Sequence, residues 1–207
     1  FEPYLDAFEI KRFKFVAREK QRTNLTFTIH DGITLQNNNI SISVNNEGEI
    51  YSIKDKAQDR ELLKKPLAYH LLVEEPIKHP AWNMYWKDRQ KEPISIITKG
   101  EFSILEDTSY RKRIQIITNY NKSTFKKIIS LSLDSKYVDV EESIDWHEKG
   151  KSLKLALDLN YNAPSFYTNM ETCFVEKGVN HEKQYEVPSR YYMKAKEGDN
   201  GVALIEN

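Results

Sequence analysis

Val138-Asp139-Val140-Glu141-Glu142-Ser143-Ile144-Asp145-Trp146-His147-Glu148 runs through Lys149-Gly150 into Lys151-Ser152-Leu153-Lys154-Leu155-Ala156-Leu157-Asp158-Leu159. Val138, Val140, Ile144 and Trp146 fall on one side of the first run, and Leu153, Leu155, Leu157 and Leu159 on one side of the second. Side chains of a strand alternate between faces, so a period of two marks a strand with one buried face. Lys149-Gly150 is a turn signal, and the pattern predicts two antiparallel strands joined there. Asp145, His147 and Glu148 lie at that junction. Such a cluster could be a catalytic site or the polar end of a hairpin, and its residue types alone leave both readings open.

The same period extends outward. Leu25, Phe27 and Ile29 alternate with Thr26 and Thr28 before the Asp31-Gly32 turn. Ile40, Ile42 and Val44 alternate with Ser41 and Ser43, and Asn45-Asn46-Glu47-Gly48 then predicts a hairpin into Ile50-Tyr51-Ser52-Ile53. Further apolar runs occur at Ile94–Ile97, Phe102–Leu105, Ile114–Ile117 and Ile129–Leu133, rich in the β-branched and aromatic residues that suit a pleated, half-buried surface. No dozen residues carry a 3.6-residue stripe, and residues 58–63 offer one helical turn at most. About ten short strands without helices predict an all-β sandwich or barrel. With no repeat or linker, residues 1–207 read as a single β-sandwich domain, a size such folds reach undivided.

Lys and Arg together number 31, as do Asp and Glu. That zero net charge argues against an electrostatic nucleic-acid or anionic-membrane binder. Lys11, Arg12, Lys14, Arg18, Lys20 and Arg22, interleaved with Phe13 and Phe15, form one basic stretch, read as the solvated face of an edge strand. Cys173 is the single cysteine, which excludes an internal disulfide and a thiolate metal site. No apolar stretch approaches the roughly 20 residues that span a bilayer, and the first residues do not resemble a signal peptide. A cytoplasmic location is expected. The Asn-x-Ser/Thr triplets at Asn24, Asn39 and Asn121 read as coincidence in an Asn-rich chain.

Residues 74–92 stand apart. Pro76, Pro80 and Pro93 resist regular ladders, whereas Trp82, Met84, Tyr85 and Trp86 are costly to expose. Long loops without secondary structure are functional or disordered, and this one is too aromatic for disorder. It could fold back over its own core, dock on another domain, or stack on sugar rings.

Conventional catalytic signatures are absent. His30, His70, His79, His147 and His181 show no metal-ligand spacing, no Gly-x-Ser-x-Gly occurs, and only 7 glycines are present, none in a phosphate-binding pattern. Carboxylate pairs remain, Asp145 with Glu148 or Glu141 with Glu142. With charged residues at 30% of the chain, such pairs also arise by chance.

Read in order, several segments resemble glycoside hydrolase family 38, the α-mannosidases, in their carboxy-terminal β-rich half. Leu35-Gln36-Asn37-Asn38-Asn39-Ile40-Ser41-Ile42-Ser43-Val44 opens the pattern, and Glu49–Lys56 and Asp59-Arg60-Glu61-Leu62 continue it. Pro80-Ala81-Trp82-Asn83 is similar to a family loop. Ile144–Glu148 with Leu153–Leu159, then Tyr185-Glu186-Val187-Pro188 and Gly198–Leu204, are similar to later blocks. The resemblance spans about residues 35–205.

It implies a galactose-mutarotase-like supersandwich, here an incomplete one, within a retaining, zinc-dependent exo-glycosidase that removes α-linked mannose. In that family the zinc, its ligands and the carboxylate nucleophile lie in an amino-terminal α/β domain. The chain is thus expected to hold no catalytic residue and no cofactor of its own. Its partners would be that catalytic domain and mannosides, with Trp82, Asn83 and Trp86 lining the substrate cleft. Asp145, Trp146, His147 and Glu148 become structural signature residues, with Trp146 packed inward. Two other functions are weighed against this one: a carbohydrate-binding module with an aromatic platform at Trp82, Tyr85 and Trp86, and a stand-alone mutarotase or epimerase using His147 and a carboxylate.

Overall fold

Alternating apolar residues close two layers over one core in the computed structural model, which describes residues 4–14, 16, 23–80 and 82–206. Strands β1 (Thr26–Ile29), β2 (Gly32–Gln36), β3 (Ile40–Asn45), β4 (Ile50–Asp55) and β5 (Arg60–Glu61) form an antiparallel sheet in that order. β6 (Ala68–Val73) leads into the aromatic loop, where a four-residue helix α1 (Trp86–Arg89) is wound before β7 (Ser95–Ile97). β8 (Glu101–Asp107), β9 (Arg111–Tyr120), β10 (Ser123–Ser132) and β11 (Asp139–Asp145) make a second sheet in the order β11-β10-β9-β8. β12 (Lys151–Ala156) pairs with β6, giving a three-stranded sheet β12-β6-β7. β13 (Phe166–Asn169), β14 (Phe174–Lys177), β15 (Tyr192–Glu197) and β16 (Asn200–Ile205) complete a fourth, ordered β14-β13-β15-β16. The all-β expectation holds, with sixteen strands among the described residues.

Ile33, Leu35, Ile40, Ile42, Val44 and Ile50 of the first sheet meet Ile114, Ile116, Ile129 and Leu131 of the second in one buried cluster. At roughly 1.5–3 kcal/mol for each fully buried large aliphatic side chain, this contact dominates the favourable side of folding. Tyr69 of β6 stacks on Phe125 of β10 at 4.9 Å, so the three-stranded sheet covers the same inner face. The Leu67 amide donates to the Ile50 carbonyl at 3.0 Å, and Leu63 bridges Leu159, tying this sheet to the first. Gly48 adopts φ +77°, and a Cβ there would strike the Gly100 carbonyl, which brings the β3–β4 turn against the start of β8. Asn37 is wholly buried between layers. Its Nδ2 donates to the carbonyls of Ser132 and Ser135 at 2.8 and 2.9 Å, while its Oδ1 accepts from the amides of Asn39 and Ile40.

Three local expectations are corrected. β11 and β12 do not pair: β11 lies on β10, β12 lies on β6, and Lys149-Gly150 carries the chain from one sheet to another. Alternation determines which face is apolar, not which strand lies alongside. At these edge positions Val140, Ile144 and Leu155 remain 51, 44 and 40% exposed, although Val138 and Leu157 reach the core. Residues 58–63 hold no helical turn. The Asp55 carboxylate accepts from the amides of Ala57 and Gln58, Asp59 takes φ +50°, and the chain enters β5. Lys11, Arg12 and Lys14 are exposed but lie in no strand; Phe15, Arg18, Lys20 and Arg22 fall outside the described residues.

Candidate functional site

At the crossover, His147 Nε2 stands 3.0 Å from Asp145 Oδ1, with the two side chains 51 and 72% exposed. The His147 backbone amide donates to Ser123 Oγ at 2.9 Å, tying the chain beyond β11 to the start of β10. Trp146 is half-buried rather than enclosed, its ring meeting Phe125 edge-on at 6.3 Å. Glu148 turns away from His147 and accepts from Asn121 Nδ2 and Lys151 Nζ. The Lys151 ammonium beside Glu148 holds its carboxyl below the usual carboxylate range. Asn121 occupies the β9–β10 turn at φ +51°, so Glu148 staples that turn to the start of β12. The hydrogen bonds divide the four residues between a surface pair and a structural clasp.

The aromatic loop is fixed from behind. Arg89 at the end of α1 is almost enclosed, donates to Ser152 Oγ of β12 at 3.0 Å, and lies 3.3 Å from Glu186 and 3.5 Å from Glu74. Trp86 packs against Tyr185 with ring centroids 5.2 Å apart, and the Tyr185 hydroxyl donates to the Met84 carbonyl. Asn83 spends its amide on the Lys78 carbonyl at 2.7 Å, and the Tyr85 hydroxyl accepts from the Lys78 amide. Trp82 projects free at 88% exposure; its neighbour Ala81 lies outside the described residues. Beside the helix, Ile77, Lys78, Tyr85, Trp86, Lys87 and Glu182 line an open groove of about 500 Å³. Of the three expected cleft residues, Trp82 is presented to solvent, Asn83 is tied back, and Trp86 forms a groove wall.

The model of the glycosyl hydrolases family 38 C-terminal domain matches residues 35–207. This chain belongs to glycoside hydrolase family 38. It is 25% identical over 190 residues to α-mannosidase G of Dictyostelium discoideum, a match covering 84% of the chain and 17% of that relative. An α-mannosidase of Enterococcus faecalis superposes with a TM-score of 0.61 at 12% identity, over 83% of the chain and 23% of that structure. The chain therefore spans about a fifth of the length of the α-mannosidases it matches, and the structural likeness establishes the shared β-fold.

Within this family 38 domain, no three His, Cys, Asp or Glu side chains converge as a metal site requires, among the described residues. One buried polar cluster escaped the sequence reading. Lys127, on the inner face of β10 between Phe125 and Ile129, lies 3.2 Å from Glu142 and 4.6 Å over the Tyr69 ring. Burial holds its amine below the usual lysine range, opposed by Glu142, and burial likewise pushes the Tyr69 phenol up. The alternation Phe125, Lys127, Ile129, Leu131 carried the signal, because a lysine in an inward register must be buried or break the strand.

Proposed function

We propose that this chain is the non-catalytic β-domain of a longer, retaining, zinc-dependent α-mannosidase that hydrolyses terminal α-linked mannose. In that enzyme it supports the amino-terminal catalytic domain, which would hold the zinc and the carboxylate nucleophile, and lines part of the substrate cleft with residues 74–92. The observation that carries the reading is Trp82, fully presented on a loop whose base is immobilised by Arg89, Tyr185 and Asn83. Exposing an indole forfeits the burial of a large apolar surface, and a fixed scaffold aims it at a defined place. The α-mannosidases it resembles are several times longer, which supports a catalytic domain elsewhere in the parent. The single cysteine, exposed and unpaired, supports a reducing cytoplasmic setting.

Steady-state kinetics of the full-length enzyme test the role of the loop. Trp82→Ala is expected to raise KM or lower kcat several-fold while the folded content, followed by circular dichroism, stays unchanged. Wild-type kinetics in that variant overturn the cleft-lining role.

A further inference from the structure

The groove beside α1 is an open, preformed depression on this domain. Its volume of about 500 Å³ sits within the usual small-molecule range of roughly 300–1,000 Å³. Its walls are aromatic, from Tyr85 and Trp86, with Ile77 adding an apolar edge. Its charged groups are two cations and one anion: Lys78, Lys87 and Glu182. An aromatic wall suits the apolar C–H face of a pyranose. Lysine ammonium donors and a carboxylate acceptor suit the vicinal hydroxyls around that ring, each of which both donates and accepts. The nearly balanced charge offers no strong field for a polyanion.

Preorganisation strengthens the case. Trp86 is backed by Tyr185, the Tyr85 hydroxyl is held by the Lys78 amide, and the Lys87 ammonium lies 5.4 Å over the Tyr85 ring. Arg89, one turn along, fastens the platform to β12 and Glu186. A wall already fixed loses little conformational freedom when a ligand arrives. We propose that this groove is a carbohydrate subsite of the β-domain itself, binding one pyranose unit of an α-mannoside through the Trp86–Tyr85 wall. The proposal rests on the α-mannosidase reading for its ligand class, but not on the presence of the catalytic domain or on Trp82.

Methyl α-mannoside and α-linked mannobiose titrated into the 207-residue chain provide the test, with tryptophan fluorescence and titration calorimetry as readouts and circular dichroism as the check on folding. Saturable binding is expected, weakened at least about tenfold, or about 1.4 kcal/mol, in Trp86→Ala. Glu182→Ala, an exposed change that leaves the Tyr185 packing intact, is expected to weaken it as well, and covers the case in which Trp86→Ala fails to fold. A folded chain without saturable binding overturns the proposal, as does binding that survives Glu182→Ala or Trp86→Ala. Loss of binding here with an intact Trp82 effect on full-length kinetics would remove the subsite and leave the cleft-lining role standing.

Discussion

Asn37 donates its side-chain amide to the Ser132 carbonyl at 2.8 Å, joining positions 95 residues apart in sequence. Asn37 holds the β2–β3 turn, Ser132 ends β10, and the bond crosses the sandwich from one layer to the other. All four hydrogen-bonding positions of the amide are used, which makes this buried polar group a fastener rather than a burden.

Replacing Asn37 with Ala takes the side-chain acceptor from the Asn39 and Ile40 amides, while the Ser132 and Ser135 carbonyls keep the Ser135 amide and Asn39 Nδ2 as donors. A penalty of about 2–4 kcal/mol is expected from the two amides left without an acceptor and the lost cross-layer bonds. Urea unfolding followed by circular dichroism measures it. A loss under about 1 kcal/mol would show that water takes over the role of the amide.

Trp146 and His147 are neighbours with opposite expected sensitivities. Trp146→Ala removes a half-buried ring from Phe125 and should cost about 1.5–2.5 kcal/mol, roughly half the range for a fully buried aromatic. His147→Ala removes an exposed ion-pair member and should change stability by no more than about 0.5 kcal/mol. A full-length α-mannosidase carrying His147→Ala is expected to keep its kcat. Loss of activity with unchanged stability would return that histidine to the catalytic candidates.

Lys127 lends the fold a measurable pH dependence. Its amine titrates below the ordinary lysine value in the folded chain, with burial as the main cause. Between the folded and unfolded pKa the unfolded chain binds more protons, so its contribution to stability rises with pH across that window. Tyr69 acts in the opposite sense. Its phenol is raised in the fold, so its contribution falls as pH climbs past the ordinary tyrosine value near about 10. Lys127→Met should therefore flatten the rise below that pH when urea midpoints of the two chains are compared. At neutral pH the variant should match the wild type or gain about 1 kcal/mol, because Glu142 sits on an edge strand where water can rehydrate it. A destabilisation above about 2 kcal/mol would mean that the ion pair stabilises the layer contact.

The fold class was readable because alternation such as Ile40, Ile42, Val44 is a local property of the chain, and the buried faces of β2, β3, β9 and β10 follow it. The β3–β4 hairpin was readable from its Asn45–Gly48 turn, but partners not joined by a tight turn were not. Leu155 pairs with Tyr69, a contact between distant segments that leaves no mark in either run. The same limit hid the partners of Asn37 and the clasp between Glu148 and Asn121. The aromatic loop was conspicuous through its prolines and tryptophans. Which of its rings would be anchored depended on Tyr185 and Arg89, and so on the whole fold.

The jump from β11 to β12 has a consequence for how the chain is made. β6 receives β12 along one edge only after roughly eighty further residues have been added, or about 4–16 s at 5–20 residues per second on a ribosome. Throughout that interval Leu71 and Tyr69 belong to a nascent strand whose outer rim is open. Sandwiches assembled from such distant pairings fold on the slow end of the scale, and chaperone occupancy during synthesis should fall only when Leu153 and Leu155 emerge.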